Sequence, residues 1–315
     1  WEAVVHEEMV QHRNGLYGPG YGTFGHPPPP ALYSGTPDQI ERYVKPTIRG
    51  ERRAFYAITE PSGGSDPARA INSTAVLDGN EWVINGTKIF ISGALESDYG
   101  LVFTRTDPSS RRGITCFIVD KDTPGLTVEP IPVIRPYYPA QLFMDNVRVP
   151  TSNVLGKPHM GWDILANKLL VRERIPYSAA NLGVAVAAQR MAASYATKRE
   201  TFGAPLSTRQ AIQWMLVDSD LEIKACRWLV WEAAWACDAG EDFRHQASLA
   251  KLYSSEILGR VVDRAIQIYG GYGVTKALPL ERWYREARVR RIGEGPSEVM
   301  RFIISRYVLT EGYQP

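Results

Sequence analysis

The stretch TEPSGGSD at residues 59–66 joins the end of a predicted strand to a loop suited to binding phosphate. The preceding residues 54–58, AFYAI, are apolar and aromatic, as is typical of a strand. Pro61 ends regular pairing, and Gly63 and Gly64 let the backbone turn so that successive N–H groups converge on an anion, with the Ser65 hydroxyl beside them. Ordinary surface turns share this composition, so the loop alone does not distinguish the two interpretations.

The sequence that surrounds and follows this loop shows two different patterns of apolar residues. Short alternating or β-branched runs occupy residues 73–76, 81–84, 101–104, 114–119 and 142–149. They are separated by Asp-Gly-Asn, Asn-Gly and Pro-Gly turns, a pattern that predicts an all-β domain. Apolar residues then recur at three- and four-residue steps in residues 162–198, 208–239, 243–269, 280–291 and 296–309. This periodicity predicts a helical bundle.

Helical segments are also predicted before the β-domain, at residues 1–15 and from Asp38 onward. The predicted organisation is therefore an α+β fold with a helical segment at 1–53, a β-domain at 54–151 and a helical bundle at 152–315. Within the bundle, Trp228, Trp231 and Trp235 lie three and four residues apart, which indicates a core stripe or a subunit contact.

Composition excludes several functional classes. The chain has 315 residues, 44% of them hydrophobic, and a formal net charge of +2, so we expect neither a nucleic-acid partner nor attraction to a membrane surface. Its three cysteines form no CxxC pair, which favours a reducing compartment. No run of eighteen apolar residues and no signal peptide is present, so we predict neither a membrane span nor secretion.

Two other kinds of site, a dinucleotide-binding site and a metal site, are rejected. Gly20, Gly22 and Gly25 satisfy GxGxxG, yet no apolar strand precedes them and four prolines follow where a dinucleotide-binding helix would begin. The five histidines form no HExxH pair, so no metal site is predicted.

Six blocks of sequence, in a fixed order, resemble the acyl-CoA dehydrogenase family of flavoproteins. Beside the loop above, they are WVINGTKIFISGA (82–94), GITCFIVDKDTPGL (113–126), FMDNVRVP with NVLG (143–156), RETFGAPL (199–206), QIYGGYGV (267–274) and RRIGEGPSE (290–298). The resemblance implies a helical N-terminal segment, a central β-barrel-like domain and a C-terminal four-helix-type bundle. Family members usually carry further helices upstream of the counterpart of Trp1, so we expect the N-terminal segment to be truncated here.

The resemblance also implies a catalytic base. In the family, the glutamate of the EG motif removes the α-proton of an acyl-CoA thioester while a hydride passes from the β-carbon to FAD N5, which places Glu294 as the base. Gly295 and Pro296 suit an N-cap and a first helical position, so Glu294 is predicted just outside a helix. Some members place the base in the first helix of the bundle, where this chain has Glu173 as an alternative.

The remaining site residues follow from the same resemblance. Those predicted to bind FAD are Tyr56, Ile58, Thr59, Ser65, Phe90 and Ser92, together with Arg199, Phe202, Gln267, Gly270 and Gly271, which a neighbouring subunit would lend to the ADP half. Those predicted to bind the acyl-CoA are Ser65, Arg174, Gly293 and Gly295. Because Gly293 replaces a bulky aromatic seen in some relatives, it suggests room for a branched or ring-bearing acyl group.

The resemblance predicts an FAD-dependent acyl-CoA dehydrogenase that passes electrons to an electron-transfer flavoprotein and assembles as a homo-oligomer, either a dimer or a tetramer. The predicted location is the bacterial cytoplasm or the mitochondrial matrix. Two alternatives remain open: a flavin-dependent oxidase or monooxygenase of specialised metabolism on the same fold, and a non-catalytic subunit of a heteromeric dehydrogenase.

Overall fold

The structure is a computed structural model that describes residues 1–13, 15–16, 28–135, 137–311 and 313. The chain divides into two compact units, one formed by residues 1–21 with 171–315 and the other by residues 22–170. The first is helical and the second is built on a sheet, so the predicted α+β class is confirmed.

The described part of the sheet unit contains eight strands. They are β1 (Ala54–Ala57), β2 (Thr74–Asp78), β3 (Glu81–Ile91), β4 (Tyr99–Arg105), β5 (Ile114–Asp120), β6 (Leu126–Pro130), β7 (Ala140–Pro150) and β8 (Val154–Leu155). Their order in the sheet is β6-β7-β3-β2-β4-β5-β8, and β1 pairs in parallel with β4. The parallel pairing of β1 places the start of the TEPSGGSD loop beside the middle of the sheet.

The sequence predicted most of these strands but misjudged three regions. The Asn-Gly pair at 85–86 was expected to be a turn, yet it lies inside β3, which continues to Ile91 against β7. Gly86 has φ +139° at a register shift, and a Cβ atom there would lie 2.5 Å from Ser73 Cβ, so the pair forms a bulge where two segments approach closely. The short strands β6 and β8 were not predicted.

Two apolar clusters form the core of this unit. One includes Phe55, Trp82 and Phe117, and the other includes Tyr43, Tyr99 and Phe103. Strands β4 and β5 are buried along nearly their whole length, which explains their continuous apolar sequence. The short helices of the unit are α2 (Pro37–Gln39), α3 (Lys45–Ile48), α4 (Pro67–Ala70) and α5 (Gly161–Asp163), with π-helical turns at Ile40–Val44 and Ile164–Leu170.

The helical unit contains α1 (Glu2–Met9), α6 (Arg174–Lys198), α7 (Gln210–Asp238), α8 (Arg244–Tyr269), α9 (Leu280–Arg290) and α10 (Ser297–Val308). A two-stranded ribbon, β9 (Glu200–Thr201) with β10 (Ala204–Pro205), follows α6. Small residues make α6 the central helix of the core: seven of its alanines are buried, and a Cβ atom at Gly183 would lie 2.1 Å from the Glu7 carbonyl oxygen. This close approach lets α1 pack directly on α6.

Three boundary predictions need correction. The helix predicted over 162–198 is interrupted by turns at 171–173, after which Pro176 occupies the first turn of α6, where its missing N–H costs nothing. The helix predicted over residues 1–15 ends at Met9. Pro296, not Gly295, is the N-cap of α10, so that helix begins one residue later than predicted.

The tryptophans of α7 lie outside the core. Trp228, Trp231 and Trp235 are 75%, 47% and 63% exposed, so the core interpretation is wrong and a subunit contact stays a prediction. None of the described helices has the length and hydropathy needed to cross a membrane. Gly20, Gly22 and Gly25, the rejected GxGxxG motif, lie outside the described residues.

Candidate active site

Glu294 lies in a tight turn between α9 and α10. The end of α9 is closed by hydrogen bonds from the N–H groups of Ile292 and Gly293 to the Val289 carbonyl, at 2.9 and 3.0 Å. Glu294 and Gly295 then both adopt left-handed backbone conformations, with φ +55° and +91°. Left-handed geometry is unfavourable for a residue with a Cβ atom and persists only when its surroundings impose it. The turn therefore directs the Glu294 side chain away from the path of either helix.

Three cations surround the Glu294 carboxylate. Removal from water raises the pKa of Glu294 above its ordinary value, while the charges of Arg174, Lys251 and Arg290 act in the opposite direction. The residue is nevertheless exposed in the isolated chain, so nearby protein atoms remove only part of the water around its carboxylate. A carboxylate in such a place is a stronger base than one in free solution.

Glu173, the alternative base, lies within electrostatic reach of Glu294. Burial, followed by the charges of Glu294 and Glu2, raises the pKa of Glu173 to about 7, against the attraction of Arg172. Arg172 also pairs with Glu2 at 3.5 Å. The structure thus brings the two candidate carboxylates together in one cluster.

The predicted substrate-binding residues of the helical unit border the same turn. Arg174 is 6% exposed, its Nη1 donates to Ser248 Oγ at 3.2 Å, and its Nε has no hydrogen-bond partner in the described part of the chain. Gly293 faces Tyr177, whose hydroxyl oxygen would lie 3.3 Å from a Cβ atom at position 293. A side chain at position 293 would therefore press against the Tyr177 hydroxyl.

The TEPSGGSD loop, in the sheet unit, forms a closed turn. The Gly63 N–H donates to the Glu60 carbonyl at 2.9 Å, and the Glu60 N–H donates back at 3.3 Å. The predicted convergence of successive N–H groups is therefore wrong for Gly63. The loop borders an open cavity of about 400 Å³ lined by Ser62, Gly63, Gly64, Ser65, Asp66, Arg69, Ala70 and Asn72.

Five other predicted cofactor residues lie near the start of this loop. The Ile89 N–H donates to the Thr59 carbonyl at 2.9 Å, which brings Thr59 beside Phe90. Phe90 is 57% exposed with φ +59°, so the fold holds an aromatic ring outward in a strained conformation. Tyr56 and Ile58 are half-buried on and after β1, and exposed Ser92 accepts from Arg135 at 3.5 Å.

The remaining predicted cofactor residues cluster at one end of the helical unit. The rings of Tyr195 and Tyr269 stack at 4.1 Å and join the last turns of α6 and α8. Arg199 and Phe202 follow α6, whereas Gln267, Gly270 and Gly271 lie at the end of α8. Phe202 is 99% exposed with φ +50°. An aromatic ring held fully outward in this way is suited to a contact with another molecule.

Sequence reasoning missed two buried lysines. Lys251 Nζ donates to the Gly295 carbonyl, and Lys88 pairs with Glu60 Oε1 at 2.7 Å, directly beneath the loop. Both lysines are fully buried. Lys251 lies on the buried face of α8 together with Ala247 and Ser254. A charged residue at a position predicted to be in the core was the sequence signal that could have identified this lysine.

The residues described here fit a flavin dinucleotide. A Cβ atom at Gly64 would lie 3.0 Å from Thr59 Cγ2, so only glycine keeps this hydroxyl and the loop backbone in close contact. In the helical unit, nothing lies within 4 Å of a Cβ atom at Gly270 or Gly271. Hydroxyls, glycine backbone and outward aromatic rings are the groups that bind pyrophosphate and planar rings. The described residues hold no cluster of three or more His, Cys, Asp or Glu side chains suited to a metal ion.

Two family models match the chain. Residues 55–147 match the acyl-CoA dehydrogenase middle domain, and residues 159–309 match the acyl-CoA dehydrogenase C-terminal domain.

Comparisons with individual proteins agree with the two family models. The chain is 40% identical over 284 residues to the short-chain specific acyl-CoA dehydrogenase, mitochondrial, of Bos taurus, covering 89% of this chain and 68% of that protein. It is also 40% identical to the 3-(aryl)acrylate reductase of Clostridium sporogenes, covering 89% and 75%. A solved structure described as the electron transferring flavoprotein of Acidaminococcus fermentans is similar with a TM-score of 0.91 and 35% identity, covering 98% of this chain and 82% of that one.

Proposed function

Because the chain belongs to the acyl-CoA dehydrogenase family of FAD-dependent oxidoreductases, we propose that it introduces an α,β double bond into an acyl-CoA thioester with Glu294 as the base. The observation that carries this assignment is the Glu294 carboxylate, held in a left-handed turn, partly removed from water and close to three cations. No other described carboxylate combines these properties with a glycine on each side of it in the sequence.

Glu294 performs the proton transfer. An oxygen of its carboxylate takes the α-proton, and the electron pair of that C–H bond becomes the second bond between the α- and β-carbons. FAD, when bound, supplies the acceptor for the hydride that leaves the β-carbon. An acyl chain that displaces the remaining water around Glu294 raises its pKa further and makes it a stronger base.

The acidity of the substrate also has to be increased. The Glu294 N–H donates to no group in the described part of the chain, which leaves it for the thioester carbonyl oxygen. A backbone donor at that oxygen stabilises the negative charge that develops as the α-proton leaves. Arg174, buried and with its Nε unpartnered, is proposed to bind the pantetheine arm. Ser65, Gly293 and Gly295 complete the proposed substrate contacts.

Each unit of the chain is proposed to contribute to FAD binding. Thr59 binds the pyrimidine edge, Ser65 binds the pyrophosphate, and Tyr56, Ile58, Phe90 and Ser92 contact the isoalloxazine. Arg199, Phe202, Gln267, Gly270 and Gly271 bind the ADP half of the FAD of a second subunit. The 99% exposure of Phe202 supports this assignment, as does the exposed tryptophan stripe of α7, and both favour a homo-oligomer.

We assign an electron-transfer flavoprotein as the acceptor of the electrons. The similarity to a chain in the Acidaminococcus fermentans structure supports that partner.

An anaerobic titration tests the function. The purified yellow protein is mixed with straight-chain, branched, aromatic and ring-bearing CoA thioesters, and loss of the oxidised flavin absorbance is recorded. Bleaching by at least one thioester is expected. If none bleaches the flavin, or if the chain assembles only with a second protein, the proposal is wrong. Rapid reoxidation of the reduced protein by oxygen would instead indicate an oxidase.

Gly293 is expected to set the width of the acyl site. Gly293→Phe places a large ring against Tyr177 and next to the proposed base, so kcat/KM should fall by about tenfold or more for branched and ring-bearing thioesters relative to straight-chain ones. Steady-state kinetics on the substrate panel measures this ratio. Gly293→Ala serves as the control, because a single methyl group meets only the end of the Tyr177 side chain. An equal loss for all thioesters would argue against a role in selectivity.

Gly64 is expected to be required for FAD affinity. Gly64→Ala places a methyl group 3.0 Å from Thr59 Cγ2 and 3.1 Å from its Oγ1, which displaces that side chain. We expect binding to weaken by about 1–3 kcal/mol, the usual cost of overpacking. Fluorescence titration of the apoprotein with FAD measures the change. Gly259→Ala is the matched control, because nothing lies within 4 Å of its added methyl group. Equal affinities in the two variants would remove Thr59 and Gly64 from the site.

A further inference from the structure

A buried lysine of α8 contacts the turn that carries the proposed base. Lys251 is fully buried, and its Nζ donates to the carbonyl oxygen of Gly295. The same ammonium lies 5.8 Å from the centre of the Tyr177 ring, and the guanidinium of Arg290 packs over that ring at 4.0 Å. Burial of an ammonium group is costly, so a lysine here needs a compensating role.

Helix α8 holds the turn at two points. One turn beyond Lys251, Glu256 accepts from Ser297 Oγ at 2.7 Å and pairs with Arg291 at 3.1 Å. Glu256 therefore anchors the start of α10, whereas Lys251 anchors the left-handed pair Glu294 and Gly295. No other group in the described part of the chain donates a hydrogen bond to the Gly295 carbonyl oxygen. Loss of the Lys251 ammonium would therefore leave that oxygen without a donor.

The charge of Lys251 also acts on the base. Burial lowers the pKa of Lys251 to about 8, and repulsion by Arg174 and Arg290 lowers it further. The negative charges of Glu294 and Glu256 act in the opposite direction and raise this pKa. Glu173, which also interacts electrostatically with Glu294, adds a second carboxylate to this cluster. At neutral pH Lys251 therefore carries a charge that favours the ionised form of Glu294.

We propose that Lys251 is a positioning residue for the reaction: by donating to the Gly295 carbonyl, it holds the left-handed turn that presents the Glu294 carboxylate to the substrate. This inference rests on the function proposed above. It assigns to Lys251 no contact with substrate or cofactor.

The test replaces Lys251 by methionine, which keeps the apolar stem and removes the ammonium. In Lys251→Met, kcat should fall by about 10-fold to 100-fold with little change in KM, because a displaced base still permits binding. The acidic limb of the kcat/KM profile should move to higher pH, because a cation beside Glu294 is lost. Amide hydrogen exchange in residues 293–297 should become faster, and this readout requires no substrate.

Matched variants separate the possible outcomes. Lys224→Met removes an exposed lysine that pairs with Asp220 at 2.8 Å and should leave all three measurements unchanged. Lys251→Arg keeps a cation and should retain a pH profile close to that of the wild type. Should Lys251→Met be insoluble, Lys251→Gln provides the same three measurements.

Unchanged kcat, pH profile and amide exchange in the Lys251 variants would overturn the inference. Glu294→Gln is measured in parallel. Full activity in that variant would show that the proposed base itself is wrong, and the role of Lys251 would fall with it. An inactive Glu294→Gln combined with a fully active Lys251→Met would overturn the Lys251 inference alone.

Discussion

Glu294→Gln is expected to slow reduction of the bound flavin by an acyl-CoA by about 10²–10⁴-fold, the contribution of a positioned general base. Glutamine keeps the shape of the side chain and cannot accept the α-proton. In the wild type, the reduction rate should rise with pH through a value above the ordinary carboxylate range, because folding raises the pKa of Glu294 and only its ionised form acts as base. Stopped-flow absorbance measures both quantities.

Two other glutamates make this prediction specific. Glu232→Gln, on the exposed face of α7, is the matched control and should react at the wild-type rate. Glu173→Gln should retain most of the activity and lower the apparent pKa of the base, because it removes a negative charge close to Glu294. If Glu173→Gln were inactive while Glu294→Gln kept full activity, the base would be Glu173.

The same substitution is expected to increase stability. The folded state keeps the proton of Glu294 at a pH where the unfolded chain, with a pKa near 4.5, has released it. This contribution to stability is fully present below pH 4.5 and is lost as the pH rises through the folded pKa. Glutamine cannot ionise, so Glu294→Gln should melt at a higher temperature than the wild type at pH 8 and show a smaller difference at pH 4. A reactive base that lowers stability is a common compromise in enzymes.

Local sequence patterns predicted most elements of the fold, and their failures have physical causes. Apolar periodicity located α7, α8 and α9 to within two residues because each buries residues at three- and four-residue spacing on one face. It did not detect the interruption at 171–173, because apolar residues continue through it. The Asn-Gly pair at 85–86 has the composition of a hairpin turn, and only its close approach to Ser73 shows that it is a bulge.

The residues of the candidate site that stand in short motifs could be predicted from the sequence, whereas the contacts between distant residues could not. Glu294 and Glu173 stand in recognisable motifs, whereas their proximity depends on how α6 packs in the helical unit. Lys251 is 44 residues before Gly295, and no short motif links a lysine to a distant backbone carbonyl. The pairing of Glu60 with Lys88 was also missed, because it joins a loop to a strand across 28 residues.

Lys88→Met is expected to destabilise the sheet unit by about 3–5 kcal/mol, the usual effect of leaving one member of a buried ion pair without its partner. Lys88 and Glu60 have side chains that are 0% and 4% exposed. The ammonium donates to Glu60 at 2.7 Å and to the carbonyl oxygens of Ile58 and Phe103 at 3.2 and 2.5 Å. Glu60 also accepts from the Ser73 hydroxyl at 2.6 Å and the Asn72 N–H at 2.7 Å. Urea unfolding followed by circular dichroism measures the loss.

The pH dependence identifies which group is responsible. Burial alone would raise the pKa of Glu60, but Lys88 and the donors of Ser73 and Asn72 outweigh it and lower that pKa below 4.5. The stabilisation from Glu60 is therefore present above pH 4.5 and is lost as the pH falls through the lower folded value. This acid-dependent loss should be smaller in Lys88→Met, and the double variant Glu60→Gln with Lys88→Met should recover part of the stability because no unpaired charge remains buried. A loss below about 1 kcal/mol in Lys88→Met, in the range of surface pairs, would show that this pair does not stabilise the loop.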